Sequence, residues 1–292
     1  MTPTVSTIIP AYNSADFVRA AIESALAQSG VDQEIFVIDD GSTDATPDVL
    51  RGFGDSIRVL RQTNGGPVKA RNHGAELASG EWLAFLDADD QWLPDKLSKQ
   101  LALASADVGL VYTDRENFGS VDRLSTTRSV GSPLHDGDLF DNLLFSNFIT
   151  TSSAMIRRDW FTRLGGFREE LRVCEDWDLW LRFSAAGGRA AVVREPLTHY
   201  RWHASSTSNN QLRMCEGRLS VLQTALSTPR GRQLPAQVRH RALACAWACS
   251  AWHAMPWRRT RAAWWYLRAI RHWPWDLANY KQLVKCCLPL PC

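Results

Sequence analysis

The chain has 292 residues, 45% of them hydrophobic and 22% charged, with a formal net charge of +2. That length allows one large domain or a domain with an appendage, and the composition excludes a disordered chain. The small net charge hides an asymmetry. Residues 229–292 hold eleven Lys or Arg against the single acid Asp276, about +10, while the remainder holds about −8, so the two parts face different partners.

In chain order, Val5 to Ile9 reads as a short buried strand and Asp16 to Gln28 as a helix. Glu34 to Ile38 is a second strand that ends at Asp39-Asp40-Gly41, and Thr43 to Phe53 is helical. Ile57 to Leu60 is a third strand, and Lys69 to Ala78 is a helix stopped at Gly80. Glu81 to Leu86 is a fourth strand that ends in Asp87-Ala88-Asp89-Asp90. This alternation predicts a parallel sheet with helices on both faces, and ligands in such sheets bind beyond the carboxyl ends of the strands. Both acidic clusters lie at such ends. Further on, Val108 to Tyr112, Ser153 to Ile156 and Ala190 to Val193 read as strands, with residues 115–135 as loop or hairpin. Glu175 to Ala186 is a helix closed by Gly187-Gly188, residues 203–211 are a Ser/Asn-rich loop, and Pro256 and Pro274 divide the chain after Leu234 into about three helices.

Seven cysteines occur without a CxxC pair, and Cys245 and Cys249 stand one helical turn apart. They read as reduced thiols packed as small hydrophobes, which predicts a reducing compartment. Met1 to Pro10 has no basic leader region, so no secretory signal is expected. No run of about 18 apolar residues predicts a membrane span.

Asp87 and Asp89, one residue apart at a strand end, can converge on Mg²⁺ or Mn²⁺, which prefer oxygen ligands and leave sites for diphosphate oxygens. The same triplet also suits a solvated turn or the N-cap of a helix near Leu93. Asp39-Asp40-Gly41-Ser42-Thr43-Asp44 has the same double meaning: a carboxylate set against a base or ribose, or Ser42 or Thr43 with Asp44 capping a helix. Asn64-Gly65-Gly66-Pro67 before Lys69 and Arg71 presents N–H groups and a guanidinium to an anion, although it is not a Walker A loop. Glu175-Asp176-Trp177-Asp178 opens a helix. Capping accounts for one of its acids, and a half-buried carboxylate among Trp177, Leu179 and Trp180 could serve as a general base. His203, after His199-Tyr200-Arg201-Trp202, is open to a metal, diphosphate or structural role.

Together, VSTIIPAYN (Val5 to Asn13), VIDDGSTD (Val37 to Asp44), NGGPVKARNHG (Asn64 to Gly74), LDADDQW (Leu86 to Trp92), Gly165-Gly166-Phe167 and EDWDLWLR (Glu175 to Arg182) resemble the family 2 glycosyltransferases. The resemblance covers about residues 3–210. It implies a GT-A fold, a mixed Rossmann-like sheet flanked by helices, in residues 1–215; residues 216–292 read by their own pattern as a helical Trp/Arg-rich region. It implies that Pro10, Ala11, Tyr12, Asp40, Arg71, Asp87 and Glu175 contact a nucleotide-sugar. Asp89 and, less securely, His203 would hold a divalent cation, Mg²⁺ or Mn²⁺, and Asp176 would be the catalytic base. The implied reaction moves a sugar from a UDP- or TDP-linked donor to a saccharide or lipid-linked hydroxyl with inversion, in cell-surface polysaccharide or glycolipid biosynthesis. The processive QxxRW signature is missing, which implies single or few additions. The alternative is a binding module that has lost catalysis, and the presence of Asp87, Asp89 and Asp176 weighs against it.

The tail matches no motif of that family. Arg258, Arg259, Arg261, Arg268 and Arg271 alternate with Trp257, Trp264, Trp265, Trp273 and Trp275. On helices this predicts either a peripheral surface for an anionic membrane or a small bundle with Arg outward. Nucleic acid is not expected as a partner, because the catalytic half is acidic. The expected location is cytoplasmic, at the inner face of the cytoplasmic membrane if the tail meets lipid.

Overall fold

The computed structural model describes residues 4–119, 133–203, 211–256 and 258–287. Its elements in chain order are β1 (Val5–Ala11), α1 (Val18–Leu26), β2 (Gln33–Asp39), α2 (Thr46–Arg51), β3 (Arg58–Arg61), α3 (Pro67–Leu77), β4 (Trp82–Phe85), β5 (Gln91–Trp92) and α4 (Lys96–Leu101). There follow β6 (Leu110–Gly119), α5 (Phe140–Leu143), β7 (Ala154–Arg157), α6 (Arg158–Arg163), α7 (Glu175–Ala185) and β8 (Ala190–Trp202). The helices α8 (Gln211–Ser227), α9 (Pro229–Gln233), α10 (Ala236–Ala254), α11 (Arg259–His272) and α12 (Leu277–Cys287) complete the chain. It divides into two compact units, one of Met1–Leu139 with Asn147–Ala204, the other of Phe140–Ser146 with Ser205–Cys292.

The first unit is built on one sheet in the order β3-β2-β1-β4-β7-β6-β8-β5. The first four strands are parallel, so Ala11, Asp39, Arg61 and Phe85 end at one rim. β7 then runs antiparallel to both β4 and β6, which makes the sheet mixed. Every residue of β1 is buried, as a central strand covered on both faces requires. Val5, Ile9, Ile35 and Val37 share a cluster with Val18, Ala21, Ile22 and Ala25, the apolar stripe of α1. On the other face α3 lies so close that a Cβ on Gly74 would fall 2.6 Å from Ile8 Cγ2.

Several expected elements change. Helix α2 is shorter than Thr43 to Phe53. Its entry is fixed by Asp44 Oδ1, which accepts from Thr46 N–H, while Ser42 Oγ accepts instead from Asn13 N–H. Strand β5 intervenes before α4, which begins at Lys96 rather than near Leu93. Residues 115–119 belong to β6 rather than to a loop, and β8 continues well past Val193. These outer halves pair with one another from Arg115↔Thr198 to Gly119↔Trp202, after a register shift in which Arg194 to Leu197 lie opposite Asp114 alone. The expectations for 120–132, for 204–210 within the Ser/Asn-rich loop, and for Trp257 lie outside the described residues.

In the second unit, Pro256 and Pro274 separate α10, α11 and α12. Cys215, Ala251, Ala254, Ala262, Trp265, Tyr266 and Cys286 form its core. Trp247 packs edge-on against Trp264, at 5.7 Å between ring centres. No described helix is long and apolar enough to cross a membrane.

Candidate active site

The rim left by β1 to β4 gathers most of the acidic residues singled out in the sequence. At the end of β1, Pro10 and Ala11 are buried, and Tyr12 stands half exposed beyond them. The next residue, Asn13, takes a positive φ of 46°, which turns the chain so that its Oδ1 accepts from Thr43 N–H at 2.8 Å. At the end of β2, Asp40 is buried, and its carboxylate accepts from Gln62 Nε2 (2.8 Å), Gly65 N–H (2.9 Å) and Gly66 N–H (2.7 Å). Asp40 therefore anchors the glycine loop that starts α3. Asp39 is tied just as locally, accepting from Ser42 N–H at 2.8 Å and facing Arg61 at 3.5 Å.

One turn into α3, the buried Arg71 crosses the rim. It donates to Asp87 Oδ1 at 2.5 Å and to Glu175 Oε1 at 2.8 Å. Burial alone would weaken its charge, and the two carboxylates outweigh that and raise its pKa. Beyond β4, Asp87, Asp89 and Asp90 each place a carboxylate oxygen within 4.8 Å of the others. Asp90 is fully committed to the chain: Ser152 Oγ donates to it at 2.5 Å and Arg201 N–H at 2.8 Å. Asp89 Oδ2 lies 2.8 Å from His203 Nε2. Burial, and then the neighbouring carboxylates, push the pKa values of Asp89 and Asp90 upward. An all-oxygen cluster whose members resist carrying charge together suits a hard divalent cation. Asp87, Asp89 and, beside them, His203 are the residues that could hold such an ion.

Helix α7 brings the third group. Cys174, just before it, has a φ of 61°, a left-handed conformation unusual outside glycine, and the first residue of the helix, Glu175, meets Arg71. The Asp176 carboxylate accepts from Asn147 Nδ2 at 3.1 Å. Its pKa is pushed up to about 7 by burial first and by the Glu175 charge second, with Trp177 N–H, Asn147 and Arg71 pulling the other way. Asp178, by contrast, is structural. It pairs with Arg182 at 2.7 Å and Arg168 at 3.3 Å, while Arg182 donates to the carbonyls of Leu164 and Gly166. Asn72 exchanges two hydrogen bonds with the Phe167 backbone, at 2.8 and 3.0 Å. The Gly165-Gly166-Phe167 turn is thereby clamped between α3 and α7.

Arg71, Asp87, Asp89, Glu175, Asp176 and His203 thus form one connected group. Pro10, Ala11, Tyr12 and Asp40 line the adjoining strand ends and reach it through α3. Asn72, from the NGGPVKARNHG motif, belongs to the same site, as do Ser152, Asn147 and the Arg201 backbone, for which the sequence suggested no role.

A family model described as "Glycosyl transferase family 2" matches residues 6–165. Among curated relatives, the succinoglycan biosynthesis protein ExoO of Rhizobium meliloti is 37% identical over 213 residues, which are 69% of this chain and 61% of that protein. An Escherichia coli protein, the UDP-Glc:alpha-D-GlcNAc-diphosphoundecaprenol beta-1,3-glucosyltransferase WfaP, is 32% identical over 224 residues, 75% of this chain and 86% of its own. Among solved structures, the mannosyltransferase PcManGT of Pyrobaculum calidifontis, in complex with GDP-Man and Mn²⁺, superposes with a TM-score of 0.64 at 20% identity, over 98% of this chain and 80% of that one. That likeness carries the fold, and the mixed sheet with its helices is of the GT-A type.

Proposed function

The chain belongs to glycosyl transferase family 2, and from that premise we propose that it transfers a sugar from a nucleoside-diphosphate donor, UDP- or TDP-linked, to an acceptor hydroxyl with inversion at the anomeric carbon. The reading rests above all on the unbroken contact from the strand-end carboxylates through Arg71 to the start of α7. It places charged groups suited to a diphosphate beside a carboxylate whose pKa lies near neutrality.

In this reading the exposed Tyr12 ring, with the Pro10 and Ala11 backbone, meets the nucleotide base. Asp40 holds the wall of the base pocket through its three chain donors and keeps lone pairs for the base itself. Asp87 meets the ribose. Arg71 sets Asp87 and Glu175 at fixed positions and adds positive charge beside the donor phosphates. Asp89 and His203 would hold a divalent cation, which when bound would supply neutralisation of the charge that builds on the leaving diphosphate. Asp176 accepts the proton of the acceptor hydroxyl; a pKa of about 7 makes it a base that is ionised in part at neutral pH. The freed oxygen attacks the face of the sugar carbon opposite the departing phosphate, which inverts that centre.

The likeness to ExoO and WfaP supports a role in cell-surface polysaccharide or glycolipid synthesis, and WfaP supports a lipid-linked acceptor. The test is a thermal-shift panel of UDP-, TDP- and GDP-sugars with and without Mn²⁺, followed by NMR of the product linkage. Stabilisation by one donor that requires Mn²⁺, with inverted product, is expected. Retention of anomeric configuration would overturn the role given to Asp176.

A further inference from the structure

We propose that α11, α12 and the turn between them form a docking face for a bilayer rich in anionic phospholipid. The inference rests on the helical unit alone and is independent of the transferase reading.

Each of the two helices buries one side in the common core and turns the other outward. On α11, Ala262, Trp265, Tyr266 and Ala269 are buried, while Trp264, Leu267, Arg268 and Arg271 form an exposed stripe at helical spacing. On α12, Asn279 and Cys286 are buried, while Leu277, Tyr280, Lys281, Val284 and Lys285 are exposed. In the connecting turn, Trp275 is 79% exposed. Six large apolar side chains facing water in under thirty residues is far from the scatter of an ordinary surface. Within α11, the turn and α12 the charge has one sign save for one acid. The single acid, Asp276, is spent on α12, accepting from Ala278 N–H at 3.0 Å and Asn279 Nδ2 at 3.2 Å. The Arg268 guanidinium lies 4.4 Å from the Trp264 ring centre, which keeps a cation at the edge of the apolar stripe.

This pattern selects among occupants. A second copy would bring Arg271, Lys281 and Lys285 against like charges across a twofold interface. Nucleic acid offers no counterpart for Leu267, Leu277 and Val284. An anionic membrane surface takes both: tryptophan and aliphatic side chains at headgroup depth, basic side chains against lipid phosphate.

The experiment is co-sedimentation of the full chain with vesicles of phosphatidylglycerol and phosphatidylcholine, or of phosphatidylcholine alone, across a salt series. Binding should favour the anionic vesicles about tenfold or more and weaken with salt. Two variants separate the contributions, Trp275→Ser with Leu277→Ser and Arg271→Glu with Lys281→Glu. Each should lose most vesicle binding while its melting temperature and its donor hydrolysis stay at wild-type values. No binding to anionic vesicles overturns the proposal, as does equal binding to both vesicle types or undiminished binding by both variants. A concentration-dependent dimer that the serine variant breaks, without vesicle binding, overturns it in favour of a second copy. Because donor hydrolysis is read in parallel, failure here is distinguishable from failure of the transferase reading.

Discussion

Two acidic pairs, Asp39-Asp40 after β2 and Asp89-Asp90 after β4, look alike as sequence and sit at the same rim, yet they live in opposite electrostatic conditions. The first pair is quiet. Its oxygens accept from backbone and amide donors, with Arg61 alongside, so its charge is spent on shaping two loops. The second pair is crowded by Asp87 and by burial, which raise the pKa values of Asp89 and Asp90. Within it Asp90 meets its needs locally, through Ser152 Oγ and Arg201 N–H, and holds structure as the first pair does, whereas Asp89, forced against Asp87, is prepared for an external positive charge.

The largest effect that could break this contrast is Asp89→Asn. It should lower metal-dependent transfer by about 10³-fold or more, with the fold intact by circular dichroism. Near wild-type turnover in Mn²⁺ would place the cation elsewhere. Asp176→Asn should lower kcat by about 10²–10⁴-fold and leave donor affinity, read by calorimetry, unchanged. In the wild type, kcat should climb as pH rises through about 7, the value to which Asp176 is pushed. The stability consequence has the opposite sign. A carboxyl whose folded pKa exceeds its unfolded value near 4 binds its proton more tightly when folded, so its contribution is present at low pH and lost as pH rises through about 7. Asp176→Asn should therefore melt above the wild type at pH 8 and lose that advantage below about pH 4.

Arg71→Met leaves Asp87 and Glu175 partly buried without their shared cation. It should cost about 3–5 kcal/mol of unfolding free energy in urea titration, with transfer lost as well. The smallest effect sharpens the comparison from the quiet side. Asp40→Asn should cost about 1–3 kcal/mol, from weakened support of the Gly65 and Gly66 N–H groups, while the Mn²⁺ concentration for half-maximal activity stays at the wild-type value. A large shift in that concentration would erase the distinction between the two pairs.

What could be read from the chain followed from burial. Strands covered on both faces, such as β1 and β2, are continuous apolar runs, and their acidic ends show where the rim lies. The outer halves of β6 and β8 escaped notice because they pair through Arg115, Glu116, His199 and Arg201, residues with no apolar alternation. Ser152 meets Asp90 across 62 residues of chain and Arg201 N–H meets it across 111, so no local pattern could bring them together. Asn147 reaches Asp176 in the same way. The EDWDLWLR segment was legible as one motif, but only the structure divides its acids into Glu175 on Arg71, Asp176 held by Asn147, and Asp178 locked to Arg182.

Gly74 faces no charged group of the site, yet it lies one turn beyond Arg71 where α3 touches the sheet. A methyl there would act as a shim against Ile8, lifting the helix and carrying the guanidinium away from both of its partners. In a genetic screen such an allele would be scored with the active-site mutants although it alters no ionisable residue. Suppressors should then arise at Ile8, through smaller side chains that restore the lost clearance.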